Sequence, residues 1–376
     1  MSKKIIFIWM IVSISSISFI YCQQDLTLII NDVPSSTSDS DTLYFASSIN
    51  NWQPNAPNYQ FQPHDDGTYR IKLKNINESI EYKITKGSWE SVEITVKGED
   101  IANRKINSKG KEVIQVKGWA NNDIKTSTKL SNVTILNEDF PMTALNTTRR
   151  IWICLPTDYE YSTERYPVLY MHDGQNLFDT RTSFSGEWEV DETMQRLEKD
   201  KKLKLIIVGI DNSDNRNSEY TPYINEEYGG GKGAEYADFI VNELKPFIDE
   251  NYRTKSDKSN TGIMGSSLGG VISMYVGMEY ADIFGKVGVF SPAFWWSNKC
   301  YEHVDYKGFV ENTKIYMNAG LDEHKWITNG TKQMEKTLIK SGYSADNFVV
   351  KYVEGGTHSE IFWKEEFSKA VLWLFD

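Results

Sequence analysis

The sequence predicts an α/β catalytic domain, built on a mostly parallel sheet, preceded by a small all-β sandwich. Three observations carry this. Up to about Trp119 the chain is a series of short β-type runs broken by turn residues, with no helical periodicity of useful length. Beyond about Thr134 buried-type apolar runs alternate with helix-like segments, the pattern of parallel strands joined by helices. One of those runs, Thr261-Gly262-Ile263-Met264, leads through Gly265-Ser266-Ser267-Leu268-Gly269 straight into an apolar helix-like segment, 271–278. A length of 376 residues suits two domains. The division expected is 1–22 as an export signal, 23–119 as the sandwich, 120–134 as a linker and 135–376 as the α/β domain.

Taken in order, Lys3 and Lys4 precede an apolar core at 5–20, too short for a membrane span, and Gln23-Gln24-Asp25 follows with no stop-transfer pattern. This predicts a secreted or periplasmic chain with no transmembrane segment once cleaved after Cys22. Acylation of Cys22 as a lipoprotein is the lesser reading, because Phe19-Ile20-Tyr21 is bulky. Strands are expected at 26–30, 42–46, 69–73 and 80–84, with a hairpin turn at Asp65-Asp66-Gly67-Thr68. The polar stretch 120–134, rich in Asn, Ser, Thr and Lys, reads as the linker. After it, strands are expected at 150–156, 167–172, 205–210, 286–290, 314–318 and 348–353, besides the run before Ser267. Helices are expected at 188–199, 234–251, 331–340 and 360–374. The net charge of −11, without a Lys/Arg patch among aromatics, argues against nucleic acid. Cys154 and Cys300 are too few for a disulfide framework and read as buried thiols.

Gly-x-Ser-x-Gly between strand and helix forms a sharp turn that lifts the Ser267 hydroxyl clear of the sheet. Small residues at Gly265 and Gly269 are expected because a side chain there would meet the neighbouring backbone. The amide of Leu268, at the helix start, would face a developing oxyanion. A nucleophilic serine needs a base, and the base needs an acid to hold its tautomer. His358, just past the strand 348–353, is the expected base. Asp322, just past 314–318, is the first choice of acid, with the adjacent Glu323 as the alternative and Asp173 a remoter one. The second oxyanion donor is expected in His172-Asp173-Gly174-Gln175-Asn176, at the amide of Gln175. His172 has no second ligand at metal spacing and reads as a structural brace, so neither metal nor organic cofactor is expected. Gly229-Gly230-Gly231-Lys232-Gly233 reads as a mobile loop near the site, and Trp295 and Trp296 as candidates for the cleft wall.

Tyr170 to Phe178, the serine turn, Phe290-Ser291-Pro292-Ala293-Phe294-Trp295-Trp296 and Gly356-Thr357-His358 together resemble the esterase D-like esterases. That group includes feruloyl, acetyl xylan and enterochelin esterases, S-formylglutathione hydrolase and the mycolyltransferases. The resemblance implies an α/β-hydrolase fold and a carboxylic ester hydrolase with a Ser-His-Asp triad. In the N-terminal region, Ser48-Ile49-Asn50-Asn51-Trp52-Gln53-Pro54, Gly87-Ser88-Trp89-Glu90 and Ala102-Asn103-Arg104 resemble starch-binding carbohydrate-binding modules. On that likeness Trp52 and Trp89 are candidates for stacking on sugar, and Tyr82 for packing inside. An export signal, a sugar-binding-like module and an esterase domain imply an ester on a polysaccharide or oligosaccharide, acetylated or feruloylated. The alternatives are a siderophore ester of the enterochelin type, with the two tryptophans packing the domains together, or a catalytically inert glycan-binding protein.

Overall fold

The computed structural model describes residues 25–376 apart from 35, 39, 65, 75–78, 96–97, 99, 107–109 and 121–126. The expected export segment, Asp65 of the expected turn and part of the expected linker lie outside the described residues. No helix among the described residues is long and apolar enough to cross a membrane.

The N-terminal region contains β1 (Leu26–Asp32), β2 (Tyr44–Ser47), β3 (Gln62–Pro63), β4 (Tyr69–Leu73), β5 (Ile80–Thr85), β6 (Glu93–Ile94), β7 (Arg104–Ile106), β8 (Gly110–Gln115) and β9 (Gly118–Trp119). One sheet has the order β3-β4-β1-β8 and a second β2-β5-β7, while β6 pairs with β9. Alternation along β1 turns Leu26, Leu28 and Ile30 into an apolar cluster with Phe45, Ile71 and Ile84. Tyr82 lies in the same cluster, stacked on Phe45 with ring centroids 4.9 Å apart. Gly67 has φ of 77° in the turn between β3 and β4, a conformation glycine adopts without penalty. Within this region strand β5 is buried along its whole length. Ile80, Tyr82 and Ile84 fill the cluster, while Glu81 and Lys83, on the opposite face, are covered as well.

The C-terminal region holds β10 (Val133–Met142), β11 (Thr147–Cys154), β12 (Val168–His172), β13 (Ile206–Ile210), β14 (Thr261–Ser266), β15 (Lys286–Phe290), β16 (Lys314–Gly320) and β17 (Phe348–Val353). They form one sheet in the order β10-β11-β13-β12-β14-β15-β16-β17. The first two strands run antiparallel, and β13 to β17 pair in parallel. The sequence reading contains no strand at β10, which is mostly exposed, carries Pro141 and lies at the sheet edge, where a missing N–H is tolerated.

Among the described residues eight α-helices flank the sheet: α1 (Val190–Lys199), α2 (Arg216–Glu219), α3 (Gly233–Phe239), α4 (Lys245–Asn251), α5 (Leu268–Glu279), α6 (Lys299–Lys307), α7 (Lys325–Lys340) and α8 (Glu360–Phe375). A π-helical turn, Ile240–Leu244, joins α3 to α4, so the expected helix 234–251 is continuous but locally widened. Helix α6 is a short element that the periodicity does not announce. The two faces of the sheet carry separate cores. Leu169 and Met171 of β12 pack with α1 and α8, whereas Val168 and Tyr170 join the cluster of α3, α5 and α6. Cys154 and Cys300 are free and buried.

Candidate active site

Strand β14 pairs with β12 and β15 in the middle of the sheet and stops at Ser266. Ser267 then takes φ 57° and ψ −118°, a strained conformation for a residue with a side chain, and α5 begins at Leu268. The turn is held by Ser267 N–H donating to the Phe290 carbonyl at 2.9 Å and Ala293 N–H donating to the Ser267 carbonyl at 3.1 Å. A Cβ at Gly265 would lie 2.8 Å from both the Gly269 carbonyl oxygen and the His172 ring, so only glycine fits there. At Gly269 the nearest atom to such a Cβ is 3.5 Å away, so the collision expected on that side is absent. As the first residue of α5, Leu268 has an amide without an intrahelical acceptor, at the positive end of the helix.

The loops that follow β16 and β17 are packed backbone to backbone. Leu321 N–H donates to the Val353 carbonyl at 2.8 Å and Asp322 N–H to the Gly356 carbonyl at 3.1 Å. A side chain on Gly320 would collide with the Gly356 carbonyl. Here the structure departs from the first choice of acid. Glu323, not Asp322, meets His358, with Oε2 at 3.2 Å from Nδ1. Its other oxygen accepts from Gly320 N–H at 3.0 Å and from the Ser291 hydroxyl, which in turn accepts from Trp363 Nε1 at 2.8 Å. The Glu323 side chain is wholly buried, while that of Asp322 is 56% exposed and lies 3.9 Å from Lys105 Nζ of β7. The longer side chain can fold back from the turn to the imidazole, and the shorter one remains at the surface. Burial works against charge on His358, but the hydrogen bond and charge of Glu323 outweigh it. With Glu81 and Glu360 adding to them, the pKa is raised.

Ser267, Leu268 and His358 line one cavity of about 600 Å³, within the range of small-molecule sites. The N-terminal region forms part of its wall through Trp52, Glu81, Lys83, Trp89 and Asn103. Asn103 Nδ2 donates to the backbone carbonyl of His358 at 2.7 Å, across 255 positions of sequence. Trp52 and Trp89 lie against each other, ring centroids 6.4 Å apart, inside this cavity rather than on a remote face. A second aromatic group on the wall joins Trp295 to Trp296 at 5.9 Å, to Trp326 at 5.6 Å and to Tyr228 at 5.8 Å. Tyr228 comes from the stretch leading into the glycine-rich loop, which places that loop beside the site.

The turn after β12 is fixed by charge. Asp173, with φ 58°, is gripped by Arg216 through Nε at 2.7 Å and Nη2 at 2.8 Å, and Asn212 Nδ2 donates to it at 2.6 Å. Burial pushes the Asp173 carboxyl up, but Arg216 more than offsets it and holds the pKa low. Asp173 is thus committed to Arg216 rather than to His358. Gln175 is buried, exchanging hydrogen bonds of 2.6 and 3.0 Å with Asn212, and it is Asp173 and Asn176 of this turn that reach the cavity. His172 lies 2.9 Å from the Tyr236 hydroxyl through Nδ1, and burial pushes its pKa down to about 3. Sequence reasoning missed Arg216, Glu360, Tyr228 and Trp326, which lie in segments without a motif, and it quoted Asn103 only as part of the starch-binding likeness. Burial raises the Glu360 carboxyl to about 7, against a lowering hydrogen bond from Ser185.

A parallel sheet with a serine on a strand-to-helix elbow, and a histidine and carboxylate on later strand-end loops, is the arrangement of an α/β hydrolase. The chain belongs to the family described as "Putative esterase", whose family model matches residues 142–374, and it is an esterase. It is 27% identical over 241 residues to YbbA of Bacillus subtilis (strain 168), covering 60% of this chain and 92% of that protein. It is also 27% identical over 216 residues to an endo-1,4-beta-xylanase/feruloyl esterase of Xylanibacter ruminicola, covering 56% of this chain and 27% of that one. Among solved structures, the enterobactin esterase FES from Shigella flexneri superposes with a TM-score of 0.57 at 14% identity, covering 94% of this chain and 93% of its own. That likeness is one of fold, and at this coverage it includes the N-terminal β region.

Proposed function

We propose that this esterase is a serine carboxylic ester hydrolase in which Ser267 attacks, His358 moves the proton and Glu323 orients His358. The observation that carries this reading is the contact of buried Glu323 with His358, which lines the same cavity as Ser267. The tetrahedral oxyanion is received by the Leu268 amide and by an amide of the Asp173–Asn176 turn, with Gln175 as the candidate. For the substrate, the paired Trp52 and Trp89 beside the serine favour an ester carrying a flat apolar face. An acetylated or feruloylated carbohydrate supplies one, since pyranose C–H faces and aryl rings both stack on indole. A catecholate siderophore ester is the second reading, favoured by the N-terminal region's being built into the cleft. The start of the chain (Lys3, Lys4 and the apolar core after them) supports export.

A fluorophosphonate should label Ser267 in the intact chain, and failure to label would leave an inert binding protein. Assays on acetylated xylo-oligosaccharide, methyl ferulate and ferric enterobactin separate the substrates. Turnover confined to the siderophore removes the carbohydrate reading. Trp52→Ala with Trp89→Ala should raise KM on the preferred ester far more than it lowers kcat.

The pH profile offers a separate check. A general base must be neutral to accept the serine proton, so raising its pKa moves the acid limb of kcat/KM upward. With Glu323, Glu81 and Glu360 facing His358, the limb should lie above the ordinary histidine value of 6.5. Glu81→Gln removes one of those charges and should shift the limb to lower pH. A limb that stays put in that variant would show that Glu81 does not act on His358.

A further inference from the structure

Away from Ser267, one cluster among the described residues brings three carboxylates together. Glu187, Asp191 and Glu192 each offer an oxygen, and these atoms lie within 4.8 Å of one another. Asp191 is wholly buried and Glu187 nearly so. Among the described residues no Lys or Arg pairs with any of the three. Lys364 is engaged by Glu189 at 2.9 Å, Lys129 donates to the Val133 carbonyl, and Arg196 to the Thr193 hydroxyl.

The hydrogen bonds around the cluster leave its centre unsatisfied. Glu187 accepts from the hydroxyls of Thr128 and Thr180, and Asp191 Oδ2 accepts from Leu130 N–H at 2.9 Å. The other oxygen, Asp191 Oδ1, is buried with no hydrogen-bond donor, and so is Glu192 Oε2. A buried carboxylate oxygen without a donor is costly unless a cation meets it.

We propose that Glu187, Asp191 and Glu192 form a structural site for one divalent cation of the Ca²⁺ type. The donor set is all oxygen, which suits a hard cation and not a thiophilic or imidazole-bound metal. Ca²⁺ accepts irregular oxygen shells at about 2.3–2.6 Å, as three carboxylates on a loop and a helix turn would supply, whereas Mg²⁺ demands near-octahedral geometry at about 2.0–2.1 Å. Thr128 and Leu130 hold the cluster from the chain side, so the ion ties residues 127–130 to the first turn of α1. The segment just before Glu187 forms part of the cleft wall. Phe184 and Ser185 line the cavity, Ser185 donates to Glu360, and Trp188 packs on Trp363 at 5.7 Å. The ion takes no part in the ester chemistry.

The rival occupant is a proton shared between the carboxyls, since burial pushes all three upward, Glu187 to about 7. The test uses the full chain stripped with a chelator at neutral pH, then titrated with CaCl₂ or MgCl₂ by calorimetry and thermal melting. The expected result is one Ca²⁺ per chain, a melting temperature that rises on Ca²⁺ addition, and Mg²⁺ binding weaker by about tenfold or more. Glu192→Gln, at the least buried of the three positions, should abolish the calcium response, and Asp191→Asn likewise. A melting temperature indifferent to Ca²⁺, with Glu192→Gln as stable as the parent, would assign the cluster to a shared proton. Calcium binding unchanged in both variants, or a preference for Mg²⁺, also overturns the proposal.

Discussion

Ser267→Ala should lower kcat on p-nitrophenyl acetate by about 10⁶-fold, to the level left by oxyanion and binding contributions alone. The elbow backbone places this side chain at the cavity with φ 57°, whereas the preceding Ser266 is the last residue of β14 and is buried. Alanine keeps a Cβ in the same strained turn, so the melting temperature should stay close to that of the parent. Retention of more than about one part in a thousand of the activity would mean that another group supplies the nucleophile.

Glu323→Gln should lower kcat by about 10⁴-fold, since an amide in that place favours the wrong histidine tautomer while the packing survives. Asp322→Asn should change kcat by no more than a few fold, its partner being the surface Lys105 at 3.9 Å. The pair of variants is decisive because the two residues are adjacent and isoelectronic changes are made in both. A loss at Asp322→Asn matching that at Glu323→Gln would return Asp322 to the acid role. The pH profile of Glu323→Gln adds an independent sign, because removing the carboxylate that raises the His358 pKa should move any residual acid limb downward.

Much of the fold was legible in the sequence because it rests on local pattern. The parallel strands are buried along their whole length, as β12, β13 and β14 show, since helices cover both faces of the sheet. Gly265 and the serine turn read directly, because a collision at 2.8 Å can be avoided only by the one residue without a side chain. Strand β10 escaped because an exposed edge strand has no apolar face to mark it.

By itself the sequence determined the layered α/β architecture, the serine on its elbow and the histidine on the last strand-end loop, all of which follow from periodicity and chain order. Only the tertiary structure brings Glu323 rather than Asp322 to His358, because that depends on a turn in which Gly320 meets Gly356. It also decided where β5 points its charges. Glu81 and Lys83 alternate with the apolar residues of β5, and they line the cavity of Ser267 and His358 alongside Trp52 and Trp89. Period-two alternation says which residues share a face of a strand; what covers that face is set by contacts such as Asn103 to the His358 carbonyl, made between segments hundreds of residues apart.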